Sequence, residues 1–94
     1  MRKFARKDSN HKEIIQVFRD LGATVFDTAS QGSGFPDCVI GFRGVNVLVE
    51  IKDESLPPSK RKLTPDELKF HENWKGKVVV INNVEEAIEL IKNM

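Results

Sequence analysis

The chain has 94 residues, 39% of them hydrophobic and 31% charged, and its formal net charge at pH 7 is +1. This length predicts one domain, residues 1–94, with one modest core, and the near-zero charge argues against a uniformly basic nucleic-acid binder. The single cysteine excludes an intrachain disulfide and, with only two separated histidines, a Cys/His metal cluster. No apolar run is long enough to span a membrane and no signal peptide is recognisable, so we expect a cytoplasmic protein with no membrane partner.

The first part of the chain predicts a basic lead-in followed by a helix. Residues 1–9 are polar and basic, and Asn10–Leu21 has helical periodicity. Asn10 can cap this helix with Glu13 at the N3 position of a capping box, and Gly22 can stop it. The expected buried stripe is Ile14, Val17, Phe18 and Leu21.

Three strands are predicted next. Ala23–Thr28 is rich in strand-forming residues, and a loop of small residues follows it. The apolar runs Cys38–Phe42 and Val45–Val49 are separated only by Arg43 and Gly44, which is the pattern of a β-hairpin. The lone cysteine, Cys38, is then expected to be a small buried residue of the core.

The hairpin register brings charged residues together at its open end. If Phe42 pairs with Val45, Asp37 lies opposite Glu50, and opposed residues share a face with Cβ atoms about 4.5–5.5 Å apart. Lys52, two residues after Glu50, lies on the same face. The pattern predicts two carboxylates and an ammonium on one side of a sheet; the competing interpretation is a solvated strand end with a Glu50–Lys52 salt bridge.

The remaining elements follow an exposed connection, Asp53–Lys62. A second helix is predicted to begin with Thr64 as its cap, with Glu67 completing a capping box, and to stop before Gly76. The uninterrupted apolar run inside Lys77–Asn82 predicts an internal strand covered on both faces.

A last helix, Val84–Lys92, completes the order helix, three strands, helix, strand, helix. Asn83 caps this helix with Glu86 at N3, and Ala87, Ile88 and Ile91 are expected to face inward. The order α-β-β-β-α-β-α predicts the α/β class, with a mixed sheet flanked by helices.

Two carboxylates at strand distance repel each other unless one is protonated or a cation lies between them. Oxygen ligands without cysteine favour Mg²⁺ or Mn²⁺ over zinc. Such an ion can polarise a phosphoryl oxygen and lower the pKa of a bound water. The geometry alone does not separate a metal site from a salt-bridged strand end.

Three motifs together resemble the VRR-NUC family of PD-(D/E)XK nucleases, most closely its short stand-alone bacterial and phage members. They are Gly34-Phe35-Pro36-Asp37, Val49-Glu50-Ile51-Lys52 and Leu63-Thr64-Pro65-Asp66-Glu67 with His71. The likeness extends from about Lys7 to the C-terminus. It implies a restriction-endonuclease-like core and a Mg²⁺-dependent DNA endonuclease that also accepts Mn²⁺, in a bacterial or phage-infected cell.

The resemblance also implies roles for individual residues. Asp37 and Glu50, with the Ile51 carbonyl, are the implied metal ligands, and Lys52 is the implied catalytic lysine. Glu13 matches an acidic residue that joins the site in many relatives, but it could equally serve only as a cap. Glu67 stands where the family usually has glutamine, so it either joins the site or only closes its own capping box.

Two basic segments are candidates for DNA phosphate contacts: Arg2, Lys3, Arg6 and Lys7, and Lys60, Arg61 and Lys62. No base-reading motif is present, so we expect recognition of branched DNA such as Holliday junctions by shape. The stand-alone relatives imply a homodimer. The alternatives are a non-catalytic DNA-binding module or a protein-interaction module that retains the nuclease fold.

Overall fold

The computed structural model describes residues 10–94, and these form seven regular elements in the predicted order. The helices are α1 (His11–Asp20), α2 (Pro65–Asn73) and α3 (Val84–Lys92), with a short 3₁₀ turn at Pro58–Lys60 before α2. The strands are β1 (Thr24–Asp27), β2 (Cys38–Phe42), β3 (Val45–Ile51) and β4 (Val78–Ile81). Within this part of the chain, no helix is long and apolar enough to cross a membrane.

The four strands form one mixed sheet in the spatial order β1-β2-β3-β4. β2 pairs antiparallel with β1 and with β3, and β4 runs parallel to β3. The prediction of an internal position for the last strand is wrong, since β4 is an edge strand and Val78, Val79 and Val80 are only half-buried. The C-terminal part of β3 is buried instead, because the parallel crossover through α2 brings β4 to the edge of β3 that faces away from β2.

The hairpin has the predicted register, from Phe42 opposite Val45 to Cys38 opposite Val49. Its turn residues Arg43 and Gly44 both have positive φ, 53° and 78°. Two left-handed residues form the turn whose twist matches that of the flanking strands, so the turn sets the register that carries Glu50 and Lys52 to the opposite end.

Helices α1 and α3 cover one face of the sheet and form the core with it. The buried set is Ile14, Ile15, Phe18, Ala87 and Ile91 from the helices, and Cys38, Ile40, Val47, Val49 and Ile51 from the strands. The predicted buried stripes of both helices are partly wrong. In α1, His11 and Ile15 are buried and Leu21, just after the helix, is exposed. In α3, Ile88 is exposed. Packing between two helices on one sheet decides their rotation, which sequence periodicity alone does not specify.

The helix caps connect the elements around the site. Thr64 and Glu67 form the predicted capping box at α2, and Asn83 caps α3 by accepting a hydrogen bond from the Glu86 N–H. The predicted cap at α1 is wrong: the Asn10 side chain makes no cap bond and instead donates to the carbonyls of Lys52 (3.0 Å) and Asn82 (3.3 Å). Asn10 therefore fastens the start of α1 to the chain just beyond β3 and β4.

Candidate active site

The site begins where the regular pairing of β2 with β3 ends. The Asp37 N–H donates to the Val49 carbonyl (2.9 Å), although Val49 is already paired with Cys38. Asp37, which directly precedes β2, and Cys38 thus both oppose Val49 of β3. This arrangement is a β-bulge, and bulges often redirect side chains beside active sites. The predicted direct opposition of Asp37 and Glu50 in the register is therefore wrong, because the register shifts by one residue at Asp37.

The two carboxyl groups nevertheless lie close enough to influence each other. The Asp37 carboxylate accepts a hydrogen bond from the N–H of Ile51 (2.7 Å), the residue after Glu50, and Asp37 raises the pKa of the Glu50 side chain. From the other side, the Thr28 N–H donates to the Asp37 carbonyl and the Thr28 hydroxyl to the Pro36 carbonyl, each at 2.8 Å. Asp37 is thus held by β1 and β3 together.

Glu50 is a carboxyl group in a nearly closed environment. It is only 3% exposed, and its Oε1 atom is buried without a hydrogen-bond partner among the described residues. Burial, then the negative charges of Asp37 and Glu67 and the hydrogen bond to Asp37, raise the pKa of Glu50 to about 9, against the opposing effect of Lys52. In the protein without a cation, Glu50 is therefore protonated at neutral pH.

Lys52 reaches the same place from the end of β3, and its closest carboxylate belongs to α2. Its Nζ lies 2.8 Å from Glu67 Oε1 and 3.6 Å from Glu50 Oε2. Partial burial by itself raises the pKa of Glu67, but hydrogen bonds from Lys52 and from the Thr64 backbone outweigh it and lower that pKa below its usual value. The short contact is an ion pair between Lys52 and Glu67.

The Glu67 carboxylate has two functions in this geometry. Its Oε1 atom accepts from the Thr64 N–H (2.9 Å), which closes the capping box, and from Lys52 Nζ. Glu67 therefore closes its own capping box and also contacts Lys52, because one oxygen has room for two donors, and its role in the reaction stays a prediction. The predicted Glu50–Lys52 bridge is the longer and weaker of the two contacts of the lysine.

The loop before Asp37 positions α2 over the site. Gly34 has a φ of +83°, and a Cβ atom there would lie 2.5 Å from the Asp66 carbonyl oxygen. Only glycine permits this close approach of two backbones. Phe35 packs edge-on against Phe70 with ring centroids 5.3 Å apart, which adds an apolar contact between the loop and α2. The loop and helix together bring Glu67 to Lys52.

Three further residues near the site are explained only by the structure. Asn10 resembled an ordinary helix cap and Gly34 opened the Gly34-Phe35-Pro36-Asp37 motif, and their long-range partners show what each does. His71 lies one helical turn beyond Glu67, and its Nε2 is buried without a partner among the described residues. Burial lowers the pKa of His71, against the opposing effect of the Glu67 charge.

The other predicted site residues lie elsewhere or outside the described range. Glu13 is exposed on α1 and lines a surface cleft with Asn10, Asp53 and Asn82, so its role at the site stays a prediction. Lys60 and Lys62 are exposed, whereas Arg61 donates its Nε–H to the Leu56 carbonyl (2.9 Å). The remaining basic candidates, Arg2, Lys3, Arg6 and Lys7, lie outside the described residues.

The donors at Asp37 and Glu50 fit a hard divalent cation. Among residues 10–94, no cluster of three or more Asp, Glu, His or Cys side chains is placed to hold a metal, so a cation here would need ligands beyond the side chains of Asp37 and Glu50. In strand geometry the Ile51 carbonyl points to the same side of β3 as its N–H, which faces Asp37. Mg²⁺ is commonly bound by one or two carboxylates with water and substrate oxygens, and the unpartnered Oε1 of Glu50 suits such an ion.

Comparison with known proteins gives one strong structural match. A solved structure described as a VRR_NUC domain superposes with a TM-score of 0.67 and 29% sequence identity, covering 94% of this chain and 97% of that chain. Neither protein-family models nor curated proteins give a match. The structural match confirms the resemblance that the sequence motifs indicated: the chain has the fold of a VRR-NUC domain, a nuclease-type domain with an α-β-β-β-α-β-α order.

Proposed function

We propose that this chain, with its VRR-NUC fold, is a divalent-metal-dependent DNA endonuclease that hydrolyses phosphodiester bonds and prefers branched DNA. One observation carries the proposal: Glu50 Oε1 is buried without a partner among the described residues, the neighbouring Asp37 raises the pKa of Glu50, and the Lys52 ammonium lies 3.6 Å from the same carboxyl group. A salt-bridged strand end does not explain a buried carboxyl oxygen that has no partner among the described residues, whereas a site that takes up a cation does.

Asp37, Glu50 and the Ile51 carbonyl would hold the ion, which is Mg²⁺ with Mn²⁺ as a substitute. The bound ion supplies a polarised phosphoryl oxygen and a water of lowered pKa. Occupation of the site requires Glu50 to lose its proton, since the protonated carboxyl group is a poor ligand. Asp37 stays fixed meanwhile, because the Ile51 N–H holds its carboxylate.

Lys52 binds the scissile phosphate. Its Nζ lies 2.8 Å from Glu67 Oε1 and 3.6 Å from Glu50 Oε2, so the ammonium stands at the carboxyl groups beside which a phosphate would be bound. The Glu67 carboxylate favours the charged ammonium, which therefore serves as a hydrogen-bond donor that neutralises phosphate charge rather than as a proton acceptor. Because α2 holds Glu67 and β3 holds Lys52, the ammonium is positioned before the substrate arrives.

The wider DNA contact follows from charge and from the absence of a base-reading motif in the sequence. The exposed Lys60 and Lys62 precede α2, and they join the N-terminal basic residues as candidate phosphate contacts. Phosphate contacts position a duplex without reading its sequence, which suits recognition by shape. A homodimer would place two such sites on the two strands of a junction.

The test compares wild type, Lys52→Ala and Glu50→Gln on Holliday-junction, flap and duplex DNA with Mg²⁺, Mn²⁺ or EDTA. We expect metal-dependent cutting of branched substrates by wild type and a loss of at least about a hundredfold in both variants. Lys69→Ala removes an exposed lysine of α2 and is the matched control. Wild-type binding of DNA without any cut product would favour the non-catalytic module, and neither binding nor cutting would favour the protein-interaction module.

A further inference from the structure

Phe26 is an exposed aromatic residue on a strand. Its side chain is 72% exposed, the largest value among the large hydrophobic residues of the described chain. Its neighbour Val25 packs against the core, so strand alternation turns Phe26 to the other face of the sheet. Single exposed apolar residues are common, so the position of Phe26 matters more than its exposure.

Phe26 lies on the face of the sheet that carries the candidate active site. It pairs with Val39, and Val39 pairs with Leu48. Glu50 follows Leu48 by two residues, so Phe26 and Glu50 point to the same side. Two strand spacings of about 4.8 Å and a two-residue step of about 6.8 Å place their Cα atoms roughly 12 Å apart. A DNA strand held at the carboxylates can reach that distance within a few nucleotides.

The surroundings of Phe26 leave its ring accessible. β1 is an edge strand of the sheet, and the diagonal neighbour Gly41 has no side chain to cover the ring. The space beside Gly41 is taken by the Thr24 hydroxyl and the Asn46 amide, not by an apolar group. Arg19 lies along the same edge, where its guanidinium donates to the Val25 carbonyl (3.3 Å).

DNA fits this surface better than a second copy of the chain. A stable protein interface buries about 800 Å² on each partner, and Val39, the valine paired with Phe26 on this face, is already half-buried. A copy docked over the face would also cover the carboxylates and Lys52 at its end. The cationic edge provided by Arg19 suits a polyanion that continues from the site.

We propose that Phe26 stacks on an unpaired base of the DNA substrate a short distance from the scissile phosphate. This inference rests on the proposed nuclease function and defines its substrate: bases inside a duplex are covered on both faces, so an aromatic ring engages only a base that has left the stack. Such bases occur at branch points and in single-stranded arms. Phe26 is then a substrate-binding residue that favours splayed or branched DNA over intact duplex.

The experiment uses Phe26→Ala, Phe26→Trp and the control Ile88→Ala, which removes a 37% exposed residue on the opposite layer. Binding is measured in EDTA with splayed-arm DNA that carries the fluorescent base 2-aminopurine at one arm position at a time. Wild type should quench the probe at one or two positions close to the cleavage site. Phe26→Ala should lose that quenching and weaken binding and cleavage of the splayed arm about 5- to 100-fold, and Phe26→Trp should restore both.

The outcomes separate this inference from the function on which it rests. If wild type cuts branched DNA and Phe26→Ala quenches and cuts like Ile88→Ala, the stacking role is overturned and the nuclease function stands. If Phe26→Ala converts a dimer to a monomer by light scattering, the face is an interface between copies and the inference is overturned. If wild type neither binds nor cuts any DNA, both proposals fail.

Discussion

Removal of the Glu67 carboxylate should destabilise the fold and release Lys52. The side chains of Lys52 and Glu67 are 11% and 18% exposed, so their pair is closer to a buried than to a surface ion pair. Breaking a fully buried pair costs about 3–5 kcal/mol, and exposed pairs contribute about 0–1 kcal/mol. With residual exposure and the remaining contact to Glu50, we expect Glu67→Ala to lower the free energy of unfolding by about 2–3 kcal/mol.

Part of that loss belongs to the helix cap, and a control isolates it. Thr64→Ala removes the cap but leaves the ion pair, and it should cost about 1 kcal/mol. For a domain of this size, 1 kcal/mol corresponds to about 4–8 °C in melting temperature, so Glu67→Ala should melt about 10–20 °C below wild type. Urea denaturation and calorimetry in EDTA measure both variants without any influence of metal.

A double-mutant cycle measures the pair directly. Lys52→Met and Glu67→Gln, singly and together, should give a coupling energy of about 1–2 kcal/mol. Because the pKa of Glu67 is lowered in the fold, this stabilisation is present above the ordinary glutamate pKa and is lost as the pH falls through the lowered value. A coupling below about 0.5 kcal/mol, with Glu67→Ala equal to Thr64→Ala, would refute the ion pair and leave Glu67 as a cap alone.

Three further results are expected. In Gly34→Ala the new Cβ would lie 2.5 Å from the Asp66 carbonyl oxygen in a backbone of positive φ, so the variant should lose at least about 2 kcal/mol of unfolding free energy. Gly32→Ala also has positive φ but open space around the new Cβ, and it should lose about 1 kcal/mol. Equal losses measured by urea denaturation would contradict the close approach at Gly34. Because the pKa of Glu50 is raised to about 9, each metal ion bound at pH 7 should displace a proton. The Mn²⁺ affinity measured by calorimetry should therefore rise up to about tenfold per pH unit from pH 6 to 8. A flat profile in wild type, or an equal slope in Glu50→Gln, would exclude Glu50 as the source of the displaced proton. Burial raises the pKa of the Cys38 thiol to about 12, so a disulfide reagent should modify it about a thousandfold more slowly than a free thiol at pH 8, with full reactivity in urea as the control.

The raised pKa of Glu50 also predicts how stability depends on pH in the metal-free protein. The folded state binds a proton that the unfolded chain releases near the ordinary glutamate pKa of 4.5. The protonated group therefore favours the fold at low pH, and this contribution declines as the pH rises from about 4.5 to about 9. Glu50→Gln should remove that decline, since glutamine does not titrate.

Local chemistry allowed much of the fold to be predicted from sequence. The α3 bounds, the Thr64–Glu67 capping box and the hairpin register all match, because each depends on residues a few positions apart. The match to a VRR_NUC domain likewise confirms the resemblance read from three short motifs. By contrast, the edge position of β4 follows from a parallel crossover, and apolar composition does not distinguish an edge strand from a central one.

The sequence by itself singled out the candidate site residues: two carboxylates and a lysine near one end of a hairpin. Only the tertiary structure decided how they meet, through the bulge at Asp37, the ion pair from Lys52 to Glu67 and the bridge from Asn10 to the Lys52 carbonyl. The physical reason is the range of the interactions. Turn and cap preferences are local, whereas a bulge, a buried charge and a long-range hydrogen bond exist only when distant segments pack together and exclude water.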